Sequence, residues 1–355
     1  MKYLSLFSGV GGFEKGIQQA YENIQNDKSE WGQGKTKDIP IRRGGDTISK
    51  PNVGQHPTCI GFSEIDKYAT EIYQKHFNHK NYGDITQINA ERLPDFELLC
   101  GGFPCQSFSI AGKRGGFDDT RGTLFFDIAR IAKAKRPRLL FLENVKGLLS
   151  HDKGKTFETI ITTLDELGYD LQWQVLNSKN FGVPQNRERM FIIGHLRGTP
   201  RPQVFPFGED DKLSNGEGKS KERPTQTKFS TTVREGMGNK ADSTFVKVPE
   251  ATKKGYAEAE VGDSINLSVP NSKTRRGRVG KGIAQTIDTG MQQHTLKGSR
   301  IRRLTPTECE RLQGFPDGWT EGVSDTQRYK TLGNAVTVNV IQAIMTRLLN
   351  EKNTT

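Results

Sequence analysis

The opening stretch KYLSLFSGVGGFEKG leaves little choice of fold. It holds a short apolar run (2–7), the glycines Gly9, Gly11 and Gly12, and then Phe13, Ile17, Ala20, Tyr21 and Ile24 at helical spacing. A buried strand that turns on glycine into an amphipathic helix is the first unit of an open α/β sheet, with free N–H groups at the helix start. The alternation continues. "TCIGFSEID" (58–66) reads as a strand, "KYATEIYQKHF" as a helix, and "ELLCGG" and "RLLFLENV" as buried strands. "KTFETIITTLDELGYD" sets Phe157, Ile160, Ile161, Leu164 and Leu167 on one helical face, and "LQWQVLN" and "MFIIGHL" follow as strands. Strands alternating with helices predict an α/β, doubly wound, mostly parallel sheet.

Two stretches break this rhythm. Residues 26–55, dominated by Gly, Lys, Asp and Pro, read as an inserted loop. After about 197 the pattern dissolves, until "VTVNVIQAIMTRLL" restores the apolar density of a core helix. We therefore expect one domain from 1–196 plus 328–355, with 197–327 forming a smaller, irregular, loop-rich domain and hinge inserted before the C-terminal helix. A chain of 355 residues is long enough for both.

The net charge of +11 is uneven: residues 197–303 carry 21 Lys and Arg against 12 Asp and Glu, and 271–303 carry nine against one. Such a stripe suits a polyanion, most often nucleic acid, although a solvated surface has the same composition. No apolar run approaches the ~20 residues of a bilayer span, and no secretion signal is legible, so a cytoplasmic location is expected. Cys59, Cys100, Cys105 and Cys309 form no CxxC pair, which suits reduced thiols. His76 and His79 lack a third ligand nearby and read as packing residues; no metal is expected.

Several residues could carry chemistry. Glu64 ends the second strand, where a carboxylate can hold ribose hydroxyls, and Asp84 in "GDIT" reads as the end of a third. The glycine run departs from the G-x-G-x-x-G dinucleotide pattern, which disfavours a nicotinamide oxidoreductase. Cys105 follows Pro104 at the end of "ELLCGGFPC", the carboxyl edge of the sheet, and by itself could be filler, disulfide half, ligand or nucleophile. "FLENV" ends a buried strand on Glu143 and Asn144; a carboxyl there can be kept protonated by apolar surroundings. "QNRERMFIIG" sets Arg187 and Arg189 two apart at a strand start, so that both should face one side, suited to an oxyanion or carbonyl.

In order, "FSGVGGFEKG", "FSEIDKYA", "GDIT", "GGFPCQSFSIAGKRGGFDDTRGTLFFDIARI", "ENVKGLL", "QNRERMFIIG", "RRLTPTECERLQGFPD" and "LGNAVTVNV" resemble the motif set of the bacterial and phage cytosine-5 DNA methyltransferases. The resemblance implies a Rossmann-like methyltransferase sheet with a target-recognition domain and S-adenosylmethionine as cofactor, released as S-adenosylhomocysteine. It makes Cys105 the nucleophile toward carbon 6 of a flipped cytosine, with Pro104 shaping its turn. Glu143 would hydrogen-bond ring nitrogen 3, Arg189 with Arg187 would hold the carbonyl oxygen, and Asn144 would support the pocket. Phe7, Gly9, Gly11, Gly12, Glu64, Ile65, Asp84, Ile85, Leu124, Asn334 and Val336 match cofactor positions. Gln106, Ser109 and Arg121, in and beside a closing loop (110–123), and Lys273, Arg275, Arg276 and Arg278 are the expected DNA contacts. The implied partner is double-stranded DNA, met by a monomer in the bacterial cytoplasm or nucleoid, with a cognate restriction endonuclease as a further partner. A tRNA-methylating relative and a catalytically silent DNA-binding relative are the alternatives.

Overall fold

The computed structural model describes residues 1–32, 56–104, 124–208, 245–268, 277–297 and 300–350, and side chains throughout these except at 27–32. The central sheet is built from β1 (Lys2–Leu6), β2 (Thr58–Ser63), β3 (Leu98–Gly102), β4 (Leu139–Val145), β5 (Tyr169–Asn177) and β7 (Glu188–Leu196). Its order is β2-β1-β3-β4-β7-β5. β2, β1, β3 and β4 pair in parallel, and β7 runs antiparallel between β4 and β5. β1 reads KYLSL with Tyr3 to Leu6 all buried, the continuous burial expected of a strand covered on both faces.

The expected third strand at "GDIT" is reduced to one parallel bridge between Phe62 and Asn81. The Asn81 side chain takes the place of a ladder: its Nδ2 donates to the Glu64 carbonyl at 3.0 Å and its Oδ1 accepts from the Gly83 N–H at 2.8 Å. A side chain that bonds its own neighbourhood competes with strand pairing. Asp84 instead caps a one-turn helix, Ile85–Gln87, accepting from the Thr86 N–H at 2.9 Å.

Helices cover both faces. α1 (Gly12–Gly32) runs several residues into the stretch read as a loop from 26, because neither Gly nor Pro interrupts it before Gly32. The rest of that insertion, 33–55, lies outside the described residues. α2 (Lys67–His76) is capped by Asp66, whose carboxylate accepts from the Tyr68 and Ala69 N–H groups. α3 (Leu124–Lys135), α4 (Lys155–Glu166), α5 (Pro306–Leu312) and α6 (Asp325–Asn334) follow, and α7 (Val338–Leu349) packs on α1. Phe13, Ile17 and Ala20 share one cluster with Val340, Ile341, Ile344, Met345 and Leu348. By length and composition Asp325–Leu349 could cross a bilayer. It is broken at 335–337, however, and its apolar residues Val338, Ile341 and Ile344 are buried in the protein.

Between the two halves lie short strands. β10 (Ser264–Asn266), β11 (Val279–Gly280), β13 (Gln293–Lys297) and β14 (Arg300–Arg303) make an antiparallel sheet ordered β11-β10-β13-β14. β8 (Val246–Pro249) and β9 (Tyr256–Ala259) form a hairpin, and β12 (Ala284–Gln285) pairs with β6 (Gln185–Asn186) beside the central sheet.

Under β1, Glu14 is fully buried and its Oε1 accepts from the Tyr73 hydroxyl at 3.0 Å. Burial pushes this carboxyl from 4.5 up to about 7. A folded-state value above the unfolded one means that the native protein holds the extra proton. The associated stability is full below pH 4.5 and lost as the pH rises through 7. Glu14→Gln is expected to stabilise the protein by roughly 1–3 kcal/mol at pH 8 and hardly at all at pH 4.5, as read by thermal unfolding at both values.

Candidate active site

The carboxyl ends of β1, β2, β3 and β4 meet at one edge. Past β1 the backbone turns through Phe7 (φ +53°) and Gly9 (φ +55°). A left-handed phenylalanine costs on the order of 1–3 kcal/mol, strain of a kind that persists where surroundings enforce it. They do so here. The Gly11 N–H donates to the Ser8 carbonyl at 3.0 Å, and the Trp319 indole donates to the Val10 carbonyl at 2.8 Å. The Gly9 N–H donates to Glu64 Oε2 at 2.9 Å. The other Glu64 oxygen accepts from the Ile65 and Asp66 N–H groups at 2.9 and 2.7 Å. The carboxylate is thus fixed in direction at the end of β2.

Around it lie features that suit a nucleoside. Ile65 is 77% exposed, an aliphatic side chain available to an adenine face. At Gly9 a Cβ would meet open space, leaving the backbone accessible. Val336 lies against both Gly12 and Gly102, where a Cβ would come within 2.7 and 3.7 Å of it, and Asn334 is exposed beside it. Ile85 is buried, and Arg130 from α3 holds its turn by donating to the Ile85 and Ile88 carbonyls at 2.9 and 2.7 Å. Leu124 opens α3 and packs on the same core. The fixed Glu64 carboxylate, the open backbone at Gly9 and the exposed Ile65 fit S-adenosylmethionine.

Beside this cleft, β3 ends at Gly102, followed by buried Phe103 and exposed Pro104. Cys105 is next in the chain and lies outside the described residues, as do Gln106, Ser109 and Arg121. Asn144 is 2% exposed and its Nδ2 donates to the Phe103 carbonyl at 2.9 Å, pinning the approach to that cysteine. Glu143 is 8% exposed and pairs with Arg189, Nε to Oε1 at 3.0 Å. Burial pushes the Glu143 carboxyl up, against the opposing pull of Arg189 and Arg187. Gly102 is needed for space: a Cβ there would stand 2.7 Å from Glu143 Oε2. Gly102→Ala is expected to displace that carboxyl from Arg189 and to destabilise the protein by about 1–3 kcal/mol, as read by thermal unfolding.

Arg187 does not stand beside Arg189 as a second open guanidinium. It falls between β6 and β7, is 2% exposed, and spends its fork on three carbonyls. Nη1 donates to Ile287 at 3.0 Å, and Nη2 donates to Gly333 at 3.0 Å and Ala335 at 2.8 Å. Arg278 is likewise drawn inside, at 1% exposure, rather than presented to a duplex. Other charge in the basic stretch is also committed. Lys281 pairs with Asp263 at 2.7 Å, Arg302 with Glu308 at 2.7 Å, and Arg303 lies 3.9 Å over the Tyr329 ring. Arg300 and Lys297 stay exposed, whereas Lys273, Arg275 and Arg276 lie outside the described residues. His76 stacks on Trp319 at 3.6 Å and His79 bonds the Tyr73 hydroxyl at 2.8 Å.

The family model for C-5 cytosine-specific DNA methylases matches residues 1–350. The chain belongs to that family. The methylase is 42% identical over 308 residues to the type II methyltransferase M.SsoII of Shigella sonnei, covering 85% of this chain and 78% of that one. It is 38% identical over 314 residues to M.HhaI of Haemophilus parahaemolyticus, covering 81% and 86%. Its fold matches the S. pombe Dnmt2 methyltransferase with a TM-score of 0.57 at 17% identity over 98% of each chain. A putative DNA modification methyltransferase from an E. coli prophage gives 0.56 at 17% identity over 99% of each chain. The protein is therefore a DNA cytosine-5 methyltransferase on a Rossmann-like, mostly parallel sheet, and not a nicotinamide oxidoreductase.

Motif reading of the methylase passed over a set of buried amides and hydroxyls. Gln185 Nε2 donates to the Leu312 carbonyl at 2.8 Å, and Gln313 Nε2 to those of Leu332 and Ala335 at 2.8 and 3.1 Å. Thr337 Oγ1 donates to Gln313 Oε1 at 2.9 Å and meets Ser178 Oγ at 2.8 Å. Gln185, Gln313 and Thr337 sit inside family motifs and Ser178 directly follows β5, but a polar residue in an apolar run has no periodicity to mark its partner. The only available signal was their presence where an exposed loop would not need them.

Proposed function

We propose that the methylase binds a specific duplex sequence, turns one cytosine out of the stack and methylates its carbon 5, as a type II modification enzyme with a cognate endonuclease. Its bases are unreachable while stacked, which is why enzymes of this chemistry extrude them. The observation that carries the reading is the buried Glu143–Arg189 pair at the ends of β4 and β7, directly across Gly102 from the segment that leads into Cys105.

In this reading the Cys105 thiolate forms a bond to carbon 6, and negative charge develops on the ring. Glu143, whose carboxyl burial pushes up against the pull of Arg189 and Arg187, donates to ring nitrogen 3, while Arg189 donates to the carbonyl oxygen; together they take up that charge and leave carbon 5 as the nucleophilic carbon of an enamine. Phe7, Gly9, Glu64, Ile65, Asp84 and Val336 would hold S-adenosylmethionine, which would supply an electrophilic methyl to carbon 5 with S-adenosylhomocysteine as the product. The carbon 5 proton then departs to water and the Sγ–carbon 6 bond breaks, returning the thiolate. Asn144 orients the Phe103–Pro104 approach and Arg187 holds the segments around Arg189.

Residues 197–327 are assigned as the target-recognition region and hinge, with phosphate contacts setting affinity and a few side chains reading base edges. The size of this region favours duplex DNA over tRNA. The enzyme is assigned to the bacterial cytoplasm as a monomer. The test is transfer of labelled methyl from S-adenosylmethionine to duplex DNA and to tRNA, followed by methylcytosine-resolving sequencing of host DNA. Label on the DNA at one recurrent sequence is expected; label on tRNA alone overturns the reading.

A further inference from the structure

The fork of Arg187 joins three segments far apart in the chain. Its own strand entry leads two residues on to Arg189 and the Glu143 pair. Its Nη1 holds Ile287, in the stretch "AQTIDTG" that begins with β12, and its Nη2 holds Gly333 and Ala335, which flank Asn334. The neighbouring side chains repeat the same connections. Gln185 Oε1 accepts from the Ile287 N–H at 3.1 Å while its Nε2 reaches the Leu312 carbonyl. Thr286 Oγ1 donates to the Asn186 carbonyl at 2.8 Å. Gln313 holds Leu332 and Ala335 from the other side. The two remote segments also touch directly: a Cβ at Gly333 would stand 2.5 Å from the Asp288 carbonyl carbon and 2.6 Å from the Thr289 nitrogen.

A cation buried to 2% exposure, hydrogen-bonded to three backbone carbonyls and with its Nε left without a hydrogen-bond partner among the described residues, is an expensive way to hold a fold, since apolar packing does that at no desolvation cost. A planar fork does something apolar packing cannot. It fixes three carbonyls in one plane and in one mutual register. Movement of the 284–289 segment therefore cannot occur without loss of a charged hydrogen bond or a matching shift of 333–335.

We propose that Arg187 is a positioning residue that couples the 284–289 segment to the 333–336 turn, so that duplex DNA engaged by the recognition region tightens the cofactor site, and cofactor in turn orders the recognition segment. The proposal rests on the reading of 197–327 as the DNA-reading region. Coupling between two ligands is reciprocal, and a factor on the order of tenfold is typical of one well-placed junction.

Two measurements test it. The first uses wild-type enzyme, S-adenosylhomocysteine and a duplex bearing the sequence that the enzyme methylates in host DNA. Hydrogen exchange is expected to slow at 333–337 with DNA alone and at 284–289 with S-adenosylhomocysteine alone. No cross-protection in either direction overturns the coupling. The second compares S-adenosylhomocysteine affinity with and without that duplex. Wild type is expected to gain about tenfold on adding DNA. Arg187→Lys, which keeps the charge but not the fork, is expected to bind the product within about threefold of wild type without DNA and to lose the gain with it. Gly333→Ala, which leaves Arg187 intact but wedges Asp288 away, is expected to lose the same gain. An undiminished gain in both variants, or an equal weakening with and without DNA, overturns the assignment and leaves Arg187 a structural strut. Wild-type methyl transfer to the same duplex reports separately on the function itself: transfer without coupling sinks this inference alone.

Discussion

Cys105→Ser is expected to lower methyl transfer by roughly 10³-fold or more, while duplex and S-adenosylhomocysteine still bind near wild-type strength. A thiolate is accessible near neutral pH and a serine alkoxide is not, so the substitution replaces the proposed thiolate nucleophile by a weakly nucleophilic neutral hydroxyl and changes little else. The surroundings are positioned without that sulfur. Asn144 fixes the Phe103 carbonyl, and Gly102 leaves room for Glu143 whatever follows Pro104. Two assays on one preparation decide the matter: label transfer to duplex DNA, and a gel shift at fixed salt. Turnover within tenfold of wild type means that another group attacks the base.

The second large effect is expected at Glu143. Glu143→Gln is isosteric and can still approach Arg189, yet its amide has no transferable proton to give a ring nitrogen. Loss of proton donation at a developing charge commonly costs 10²–10⁴ in rate, and a loss in that range is expected for single-turnover transfer. The variant also leaves Arg189 facing a neutral amide where it had a carboxyl at 3.0 Å. Breaking a buried pair in this way is destabilising. A melting measurement alongside the kinetics separates the two contributions. Wild-type rates in a folded Glu143→Gln protein remove this carboxyl from the chemistry.

Much of this architecture could be read from the chain because its information is local. β1, β3 and β4 are continuous apolar runs closed by glycine or by Glu143 and Asn144, and such runs have one stable use, a strand covered on both faces. Glu64 was legible for the same reason, as a carboxylate at the end of such a run. Arg187 was not. Alternation assigns it to the side of Arg189 only if the strand already includes it, and β7 begins one residue later. Arg278 shows the matching weakness of charge counting, since composition places cations in a region without saying which of them turn inward. Asp84 does not end a strand because the Asn81 amide beside it bonds its own loop instead of a neighbouring strand. Strand order, and the insertion of β7 between β4 and β5, depends on contacts that no window of the sequence contains.

The Trp319 indole that holds the Val10 carbonyl lies 309 residues downstream of it, and α7 closes over α1 later still. A ribosome delivers the front of a chain first, so the Trp319 and α7 contacts are the late part of the glycine turn's support, while Ser8 and Glu64 supply the early part.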